Sequence, residues 1–234
     1  MKSKTLHLLM VKYNLVIAIV IALFVIFIAS IFTYVYASST SNFSQTINGG
    51  SLGVDIVDGS YNSVGSPAVA MGAVTFSFAC QTGTGTFGSA SEQIYVSNPD
   101  AADNGWTVSL AASATTDVWD SAGTDYDFND TGGSGCTDGA DTDSFGGQMT
   151  VDASGGTLAA GQCSTCTTSN ITKGSSNAFN EGTTDSITIL TGAAGSDDIG
   201  DWTLQGVSLS QEIPAEQPAA ADYDINMTLS VTAS

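Results

Sequence analysis

The sequence predicts an all-β protein, an antiparallel β-sandwich that one hydrophobic N-terminal helix precedes. Three observations lead to this fold class. Apolar and polar residues alternate in short runs along most of the 234-residue chain, segments rich in glycine, serine, asparagine and aspartate separate these runs, and no stretch of helical periodicity follows residue 40. A strand with one buried and one solvated face produces such alternation, and glycine supplies the turns between strands.

The N-terminus carries a long apolar stretch, residues 15–36, that predicts the helix. Three lysines precede it and no acidic residue occurs before Asp55, which fits the charge asymmetry of an export element. Small residues around Ala37 suit cleavage by a signal peptidase, but the stretch is longer than the ~7–15 residues usual for a signal peptide. Residues 1–37 are therefore either a cleaved signal peptide or an uncleaved anchor, and residues 38–234 form a domain outside the cytoplasm.

Nine runs in this domain place apolar residues at alternate positions, so that each run has one apolar face. Gly206 changes the phase between two of the runs, which suggests a β-bulge. Together the runs predict an immunoglobulin-like or jelly-roll-like sandwich. The runs are Leu52/Val54/Ile56, Val74/Phe76/Phe78/Cys80, Ile94/Val96, Trp106/Val108/Leu110, Met149/Val151, Ile187/Ile189, Trp202/Leu204, Val207/Leu209 and Tyr223/Ile225/Met227/Leu229/Val231.

The segment from about residue 115 to 180 is rich in glycine, serine, threonine and aspartate, and its apolar pattern is broken. We expect it to be a long insertion in the sandwich. The sequence is compatible both with a decorated loop region and with a small subdomain.

The charge of the domain excludes several kinds of partner. After the leader there is one lysine, Lys173, against 23 acidic residues, which gives a formal charge of −22, and there is no arginine or histidine. Such a surface repels nucleic acids and anionic lipids, so contact with a membrane is expected only through an uncleaved N-terminal segment. Divalent cations and cationic polymers are the favoured counter-charges.

The inventory of side chains also argues against an enzyme. Without histidine or arginine, the domain cannot build a catalytic triad, a cysteine–histidine pair or a phosphate clamp. A pair of carboxylates for glycoside hydrolysis is the one route left, and the four glutamates lie in no recognisable motif. No cofactor is required by anything in the sequence.

A series of acidic side chains makes a calcium site one interpretation of the region 125–143. Oxygen ligands at alternate positions of a loop suit Ca²⁺, although the EF-hand pattern fails because its sixth position is Asp130 and its twelfth is Cys136. A solvated acidic loop is the alternative. The candidate ligands are Asp125, Asp127, Asn129, Asp130, Asp138, Asp141 and Asp143.

Four cysteines, Cys80, Cys136, Cys163 and Cys166, predict two disulfides in an exported chain. We favour Cys80–Cys136 with Cys163–Cys166, and a crossed arrangement that ties the insertion to the sandwich stays open. The CxxC spacing of the last pair suggests redox or zinc chemistry, but no histidine, cation or second close pair supports either.

An ordered set of motifs in the domain resembles the WxL domain of Gram-positive surface proteins. It comprises Phe43…Gly50-x-Leu52, NGWTVSL at 104–110, DWTL at 201–204, VSL at 207–209, IPA at 213–215 and YDINMTL at 223–229. The resemblance covers nearly all of residues 43–234. It implies non-covalent attachment to cell-wall peptidoglycan. The chain departs from the family in having Met227 where a closing tryptophan is usual.

The matching residues have two interpretations, a buried core and a wall-contacting surface. Aromatic side chains dominate sandwich cores, which favours burial of Trp106 and Trp202. Trp119 lies in a polar stretch and is the better candidate for an exposed contact. The wall-binding and family-motif candidates are Trp106, Val108, Trp119, Trp202, Leu204, Tyr223, Met227 and Leu229.

The start of the domain, residues 43–56, is similar to camelysin/TasA-type biofilm fibre subunits. That resemblance covers about the first thirty residues after the leader and implies an N-terminal strand that completes the sheet of a neighbour. The sequence thus predicts a non-enzymatic extracellular protein of the cell surface. It is either attached to a wall polymer through a WxL-like domain or self-associated as a fibre or layer subunit, by strand exchange or by Ca²⁺ bridges between like-charged copies.

Overall fold

The computed structural model describes residues 2–32, 44–99, 104–139, 143–197 and 199–234. Phe43, Asp141 and the expected cleavage site after Ala37 lie outside these residues. The chain divides into two units, Met1–Ile47 and Asn48–Ser234. The first contains helix α1 (Lys2–Phe32), in which Met10–Ala29 is long and apolar enough to span a membrane, a property that a signal sequence shares. The predicted N-terminal hydrophobic helix is confirmed.

The second unit is built of β-strands, and the described residues contain twelve of them together with one turn of 3-10 helix at Gly132–Ser134. The strands are β1 (Gly53–Val57), β2 (Gln81–Phe87), β3 (Gln93–Asn98), β4 (Trp106–Ala112), β5 (Gln148–Asp152), β6 (Thr157–Ala160), β7 (Ile171–Lys173), β8 (Asn177–Ala178), β9 (Ile187–Gly192), β10 (Gly200–Gln205), β11 (Val207–Ile213) and β12 (Met227–Ala233).

The strands form three four-stranded sheets, in the orders β1-β3-β10-β6, β2-β11-β5-β8 and β12-β4-β9-β7. We call these the first, second and third sheet. Every pairing is antiparallel. Their inner faces pack into one apolar core, to which Ile94, Val151 and Leu190 contribute from different sheets. The predicted all-β, antiparallel sandwich is confirmed, and because residues 48–234 hold all these strands and this core, they have the contents of an independently folding domain.

Gly206 marks a change of sheet rather than a bulge within one strand. It has φ +77° and lies between β10, in the first sheet, and β11, in the second. Its N–H donates to the carbonyl of Gly88 at 2.8 Å. Glycine adopts this left-handed backbone conformation without steric cost, so the chain can leave one sheet and enter the next within a single residue.

The strand predicted at residues 74–80 is absent from the structure, and this prediction was wrong. These described residues belong to no ladder, with a bend at Phe78 and Ala79, and the strand of this region is instead β2, which begins at Gln81. β2 has a weak apolar pattern, with Gly83 and Gly85 at positions that would otherwise carry side chains. It forms because its backbone pairs along the whole of β11, from Phe87↔Val207 to Gln81↔Ile213.

The region expected to be an insertion contains four short strands of the sandwich, although most of its residues lie outside them. It supplies β5 and β8 to the second sheet, β6 to the first and β7 to the third. Among the described residues, the stretches 115–147 and 161–170 contain no strand, and the first of them forms only isolated bridges. Short strands that pair with stronger neighbours give little alternation of their own, which is why the sequence pattern appears broken there.

Candidate interaction surfaces

Two edge strands face each other across an open groove. β1 ends the first sheet, where it pairs with β3 and forms one isolated bridge, from Val57 to Ser63, while β12 ends the third sheet and pairs with β4. Between them lies a cavity of about 580 Å³. We call it the edge groove. Its walls include Val54 and Ile56 from β1, Met227 and Leu229 from β12, and the segment 67–71.

The floor of the edge groove is the core of the domain. Phe87, Leu110, Met149 and Leu209 line it, and all four are buried members of the central apolar cluster. Three acidic side chains, Asp55, Glu92 and Asp224, also line the cavity. The groove is thus an apolar trough with carboxylates among its lining, and a partner that filled it would extend the core.

β12 has none of the features that normally protect an edge strand. Its sequence, MTLSVTA, contains no charged residue and no proline, and it pairs with β4 over seven consecutive residues without a bulge. Met227, Leu229 and Val231 are half-buried and alternate with exposed Thr and Ser residues. Unpaired N–H and C=O groups on such an edge form a template for another extended chain.

The approach to β12 is held by hydrogen bonds. The Tyr223 hydroxyl donates to the carbonyl of Pro218 at 2.7 Å and accepts from Gln217 Nε2 at 2.9 Å. Asp224 forms an isolated antiparallel bridge with Asp120. Tyr223, Met227 and Leu229, which the family resemblance selected, therefore lie together on one wall of the edge groove.

The other residues of the family motif are buried. Trp106 and Trp202 pack with their ring centroids 5.5 Å apart, and the Trp202 Nε1–H donates to the carbonyl of Thr167 at 2.8 Å. Val108 and Leu204 point into the same core. The surface interpretation of these four side chains is wrong, because alternation turns their face of the sheet inward, and a polymer outside the domain has no access to them.

The expectation that Trp119 is exposed is also wrong, since its side chain is 9% exposed. Its ring stacks on Tyr126 at 5.8 Å, and its Nε1–H donates to Gln211 Oε1 at 2.9 Å. Gln211 is itself buried and donates to the carbonyl of Asp127. The polar residues that flank Trp119 in sequence concealed this packing. Burial, and to a lesser extent electrostatic repulsion from Tyr223, raises the pKa of the Tyr126 hydroxyl far above its usual value.

The acidic loop uses its carboxylates to hold its own backbone. Asp130 is buried and accepts from the N–H groups of Gly132 and Gly139, while Asp127 accepts from the N–H of Phe128. Asn129 donates its side-chain amide to the carbonyl of Thr115. Among the described residues no three carboxylates lie close enough to share a cation; the one such group, Cys80, Cys136 and Glu212, includes a disulfide. Asp125, Asp138 and Asp143 belong to no group of side chains close enough to ligate one metal ion, and Asp141 lies outside the described residues.

A separate acidic cluster lies near the edge groove. Asp120, Asp125, Asp222 and Asp224 are close enough that the pKa of the Asp120 carboxyl is raised, mainly by the negative charge of Asp125 and then by partial burial and Asp224. The Ser121 hydroxyl donates to Asp222 at 2.5 Å. With no cation among these side chains, the cluster repels itself at neutral pH.

The structure pairs Cys80 with Cys136 and Cys163 with Cys166, the first of the two connectivities weighed from the sequence. The CxxC loop is anchored by the buried carboxylate of Asp201, which accepts from the N–H groups of Gln162 and Cys163 and from the Tyr95 hydroxyl. Burial and this hydrogen bond raise the pKa of Tyr95. The surroundings are anionic, which disfavours the thiolate that redox or zinc chemistry needs.

The segment that was expected to be a strand forms a second exposed surface. Phe76 and Phe78 are 48% and 80% exposed, and their rings touch edge to face at a centroid distance of 5.2 Å. We call them the Phe76/Phe78 pair. No charged residue occurs between Asp58 and Glu92, a run that includes this pair. The alternation of apolar residues predicted a core strand here, which concealed this surface.

Comparison with protein-family models, with curated proteins and with solved structures finds no match to this chain. The apolar N-terminal helix and the two disulfides are together typical of an exported protein.

Proposed function

We propose that this protein is a structural subunit of an extracellular fibre or surface layer, and that copies assemble when an extended apolar part of one subunit occupies the edge groove of another. The observation that carries the proposal is the open trough between two edge strands, one of which, β12, is unprotected, and whose floor is the domain core. Proteins normally cover or charge such edges, so the bare edge of β12 beside an apolar groove favours an intermolecular partner.

The charge distribution supports the same function. Two domains that each carry −22 repel one another, so self-association is favoured where at least one of the two contacting surfaces lacks carboxylates. β12 and residues 59–91 are such surfaces, because neither contains a charged residue. Divalent cations would reduce the repulsion between the remaining faces.

Attachment to a wall polymer through the tryptophan motif receives no support from the geometry. Trp106, Trp202 and Leu204 are buried, so the residues that carry the resemblance to the WxL domain serve the fold of this chain. Catalysis lacks support as well, because the domain has neither histidine nor arginine, and the described residues bring together no set of groups suited to a reaction.

The proposed function is tested by measuring the assembly state of residues 38–234 with sedimentation and electron microscopy. We expect filaments or sheets, and we expect Leu229→Asp, which places a charge in the edge groove, to leave the protein soluble. Val231→Asp is the matched control, since Val231 lies on the same face of β12 but does not line the groove. Circular dichroism checks that each variant folds, and Ile225→Asp replaces Leu229→Asp if that variant does not.

Two further arms separate the alternatives. An excess of chelator measures the contribution of divalent cations, and isolated peptidoglycan sacculi measure wall binding. A protein that stays monomeric at every concentration and sediments only with sacculi would overturn the proposed function in favour of wall attachment. Polymers that Leu229→Asp and Val231→Asp weaken equally would show that the edge groove is not the contact.

A further inference from the structure

We propose that the occupant of the edge groove is the Phe76/Phe78 pair of the next copy of this chain, inserted as an aromatic knob. The inference rests on the proposed function and adds the identity of the contact. It makes assembly a repeated contact between one convex and one concave surface of the same protein.

The first step of the argument is the cost of exposing these side chains. Phe76 and Phe78 are among the most exposed large apolar residues of the β-domain, and Val74 precedes them on the same alternation. Single exposed apolar residues are normal on a protein surface, whereas adjacent exposed aromatic rings that touch one another form a patch. Such patches mark interaction sites, and aromatic side chains are the commonest anchors of protein interfaces.

The second step is complementarity within one chain. The edge groove offers about 580 Å³ of space over the apolar floor formed by Phe87, Leu110 and Leu209. This volume lies in the range that accommodates drug-sized ligands, so two phenyl rings fit within it. The two rings are uncharged and lie in a run without charged residues, residues 59–91, although Glu216 of the same copy contacts Ser77 between them. The rings themselves therefore meet no ionic repulsion from the carboxylates that line the groove.

The third step is that the knob is held in place outside its own groove. The N–H of Gly72 donates to the carbonyl of Thr84 on β2, the carbonyl of Ser77 accepts from the N–H of Glu216, and Cys80 is joined to Cys136. These attachments fix the segment on both sides of the two rings. A knob that is already ordered loses little conformational entropy when it docks, which favours tight association.

The N-terminal segment is the competing occupant, and the described residues favour it less. Ile47 is 87% exposed, but it is the only apolar side chain between residues 44 and 49 apart from glycine. Among the described residues of this segment Ile47 stands alone, with Phe43 before it in the sequence, whereas the rings of Phe76 and Phe78 touch and form one surface. An isologous contact between two Phe76/Phe78 pairs is the other alternative, and it would leave the groove open.

The geometry of the contact predicts the form of the assembly. Knob and groove are different patches of the same chain, so each contact joins unlike surfaces and leaves one free knob and one free groove at the ends. Heterologous contacts of this kind grow into rings or open filaments rather than closed dimers. The proposal therefore favours a fibre over an isolated pair of subunits.

A mixing experiment with two variants tests the contact directly. Phe76→Ser/Phe78→Ser lacks the knob and keeps the groove, and Leu229→Asp keeps the knob and lacks a usable groove. We expect each variant of residues 38–234 to stay monomeric, with self-association weakened by at least about 100-fold for the double serine variant. We expect an equimolar mixture to form heterodimers that grow no further, measured by light scattering after size-exclusion chromatography.

Controls use exposed apolar residues outside both surfaces. Ile199→Ser removes a side chain that is 59% exposed, and Ile47→Ser removes the one in the N-terminal segment. Both variants should polymerise as the unaltered domain does. Ile225→Asp serves as a second groove variant if Leu229→Asp does not fold.

The other outcomes overturn the proposal in distinguishable ways. If the double serine variant polymerises normally while Leu229→Asp does not, another segment fills the groove; loss of polymers after deletion of residues 38–50 would then name the N-terminus. If the double serine variant is monomeric and mixing restores nothing, the contact is isologous. If the unaltered domain never self-associates, the proposed function itself fails.

Discussion

Two segments of this chain have the same sequence pattern and opposite positions in the structure. Trp106, Val108 and Leu110 alternate with polar residues and are buried in β4, whereas Val74, Phe76 and Phe78 alternate in the same way and are exposed. The difference lies in their neighbours. β4 is hydrogen-bonded to β12 on one side and β9 on the other, and residues 74–78 belong to no ladder. Alternation therefore shows that a segment can form a strand, and the available partners decide whether it does so within the molecule.

The largest expected effect tests the buried member of this comparison. Trp202→Ala removes the ring that packs on Trp106 and the hydrogen bond to Thr167, and a cavity of this kind should lower the free energy of unfolding by about 3–5 kcal/mol. Phe78→Ser is the matched aromatic replacement on the exposed segment and should change stability by no more than about 0.5 kcal/mol. Urea denaturation followed by tryptophan fluorescence measures both.

The contrast between a buried β4 and an exposed segment 74–78 would be contradicted if Phe78→Ser destabilised the monomer by as much as a core replacement. That result would place the ring against its own domain in solution and remove the knob as an exposed surface. A normal Trp202→Ala variant would be equally damaging, because it would mean that the two tryptophans do not pack as one unit of the core.

The next effect concerns the covalent attachment of the exposed segment. Cys80→Ala/Cys136→Ala opens a disulfide that spans 56 residues and should cost about 2–4 kcal/mol, since loop closure no longer restricts the unfolded chain. Cys163→Ala/Cys166→Ala opens a link that spans three residues and should cost less. Thermal unfolding under identical buffer conditions ranks the two. The opposite ranking would show that the CxxC loop, rather than the tether of residues 74–80, supports the fold.

The third prediction compares two hydrogen-bonded glutamines, Gln211, which is buried, and Gln217, which water can reach. Gln211 is buried and joins Trp119 Nε1 to the carbonyl of Asp127, so Gln211→Met leaves two buried polar groups unpaired and should cost about 2–3 kcal/mol. Gln217 makes comparable bonds to Thr124 and Tyr223 beside the groove, where water can replace it. Gln217→Met should cost about 0.5–1.5 kcal/mol, measured by the same denaturation assay. Equal losses would mean that the approach to β12 is as dry as the core.

The sequence predicted those strands whose partners have equally strong patterns. The strands at Ile94/Val96 in β3 and Trp202/Leu204 in β10 lie where alternation placed them. So does the second half of the final apolar run, in β12, whereas Tyr223 and Ile225 precede that strand. The sequence missed β2 because glycines replace side chains there, and it missed β6 to β8 because these strands are short. Their pairing comes from backbone contacts with distant residues, which a local pattern does not encode.

Less of the interaction surface was accessible from the sequence. The resemblance to the WxL domain selected Tyr223, Met227 and Leu229, which do line the edge groove, but it grouped them with tryptophans that are buried. Nothing local distinguishes an apolar residue on a core face from one on a groove wall, because both alternate in the same way. The charge-free run between Asp58 and Glu92 was the one available signal for the exposed segment.

The smallest expected effect concerns the charge of Asp120, which lies in the acidic cluster near the edge groove. The pKa of Asp120 is raised above its ordinary value of 3.8, mainly by Asp125, so the folded state disfavours the charged carboxylate. This group's contribution to stability is complete below pH 3.8 and is lost as the pH rises through its higher folded pKa. Asp120→Asn should therefore raise the melting temperature slightly at pH 7, with no gain below about pH 3.8.

Salt provides the control for this last prediction, because about 1 M NaCl shortens the screening length to roughly 3 Å and should remove most of the gain. A gain that persisted in high salt would point to a lost hydrogen bond rather than to repulsion. Asp120 bridges to Asp224, a lining residue of the edge groove, so the same variant also weakens the negative field that meets an incoming subunit. Relief of repulsion at this position should stabilise the monomer and strengthen assembly together, whereas the buried Trp106 and Trp202 can affect assembly only by unfolding the domain.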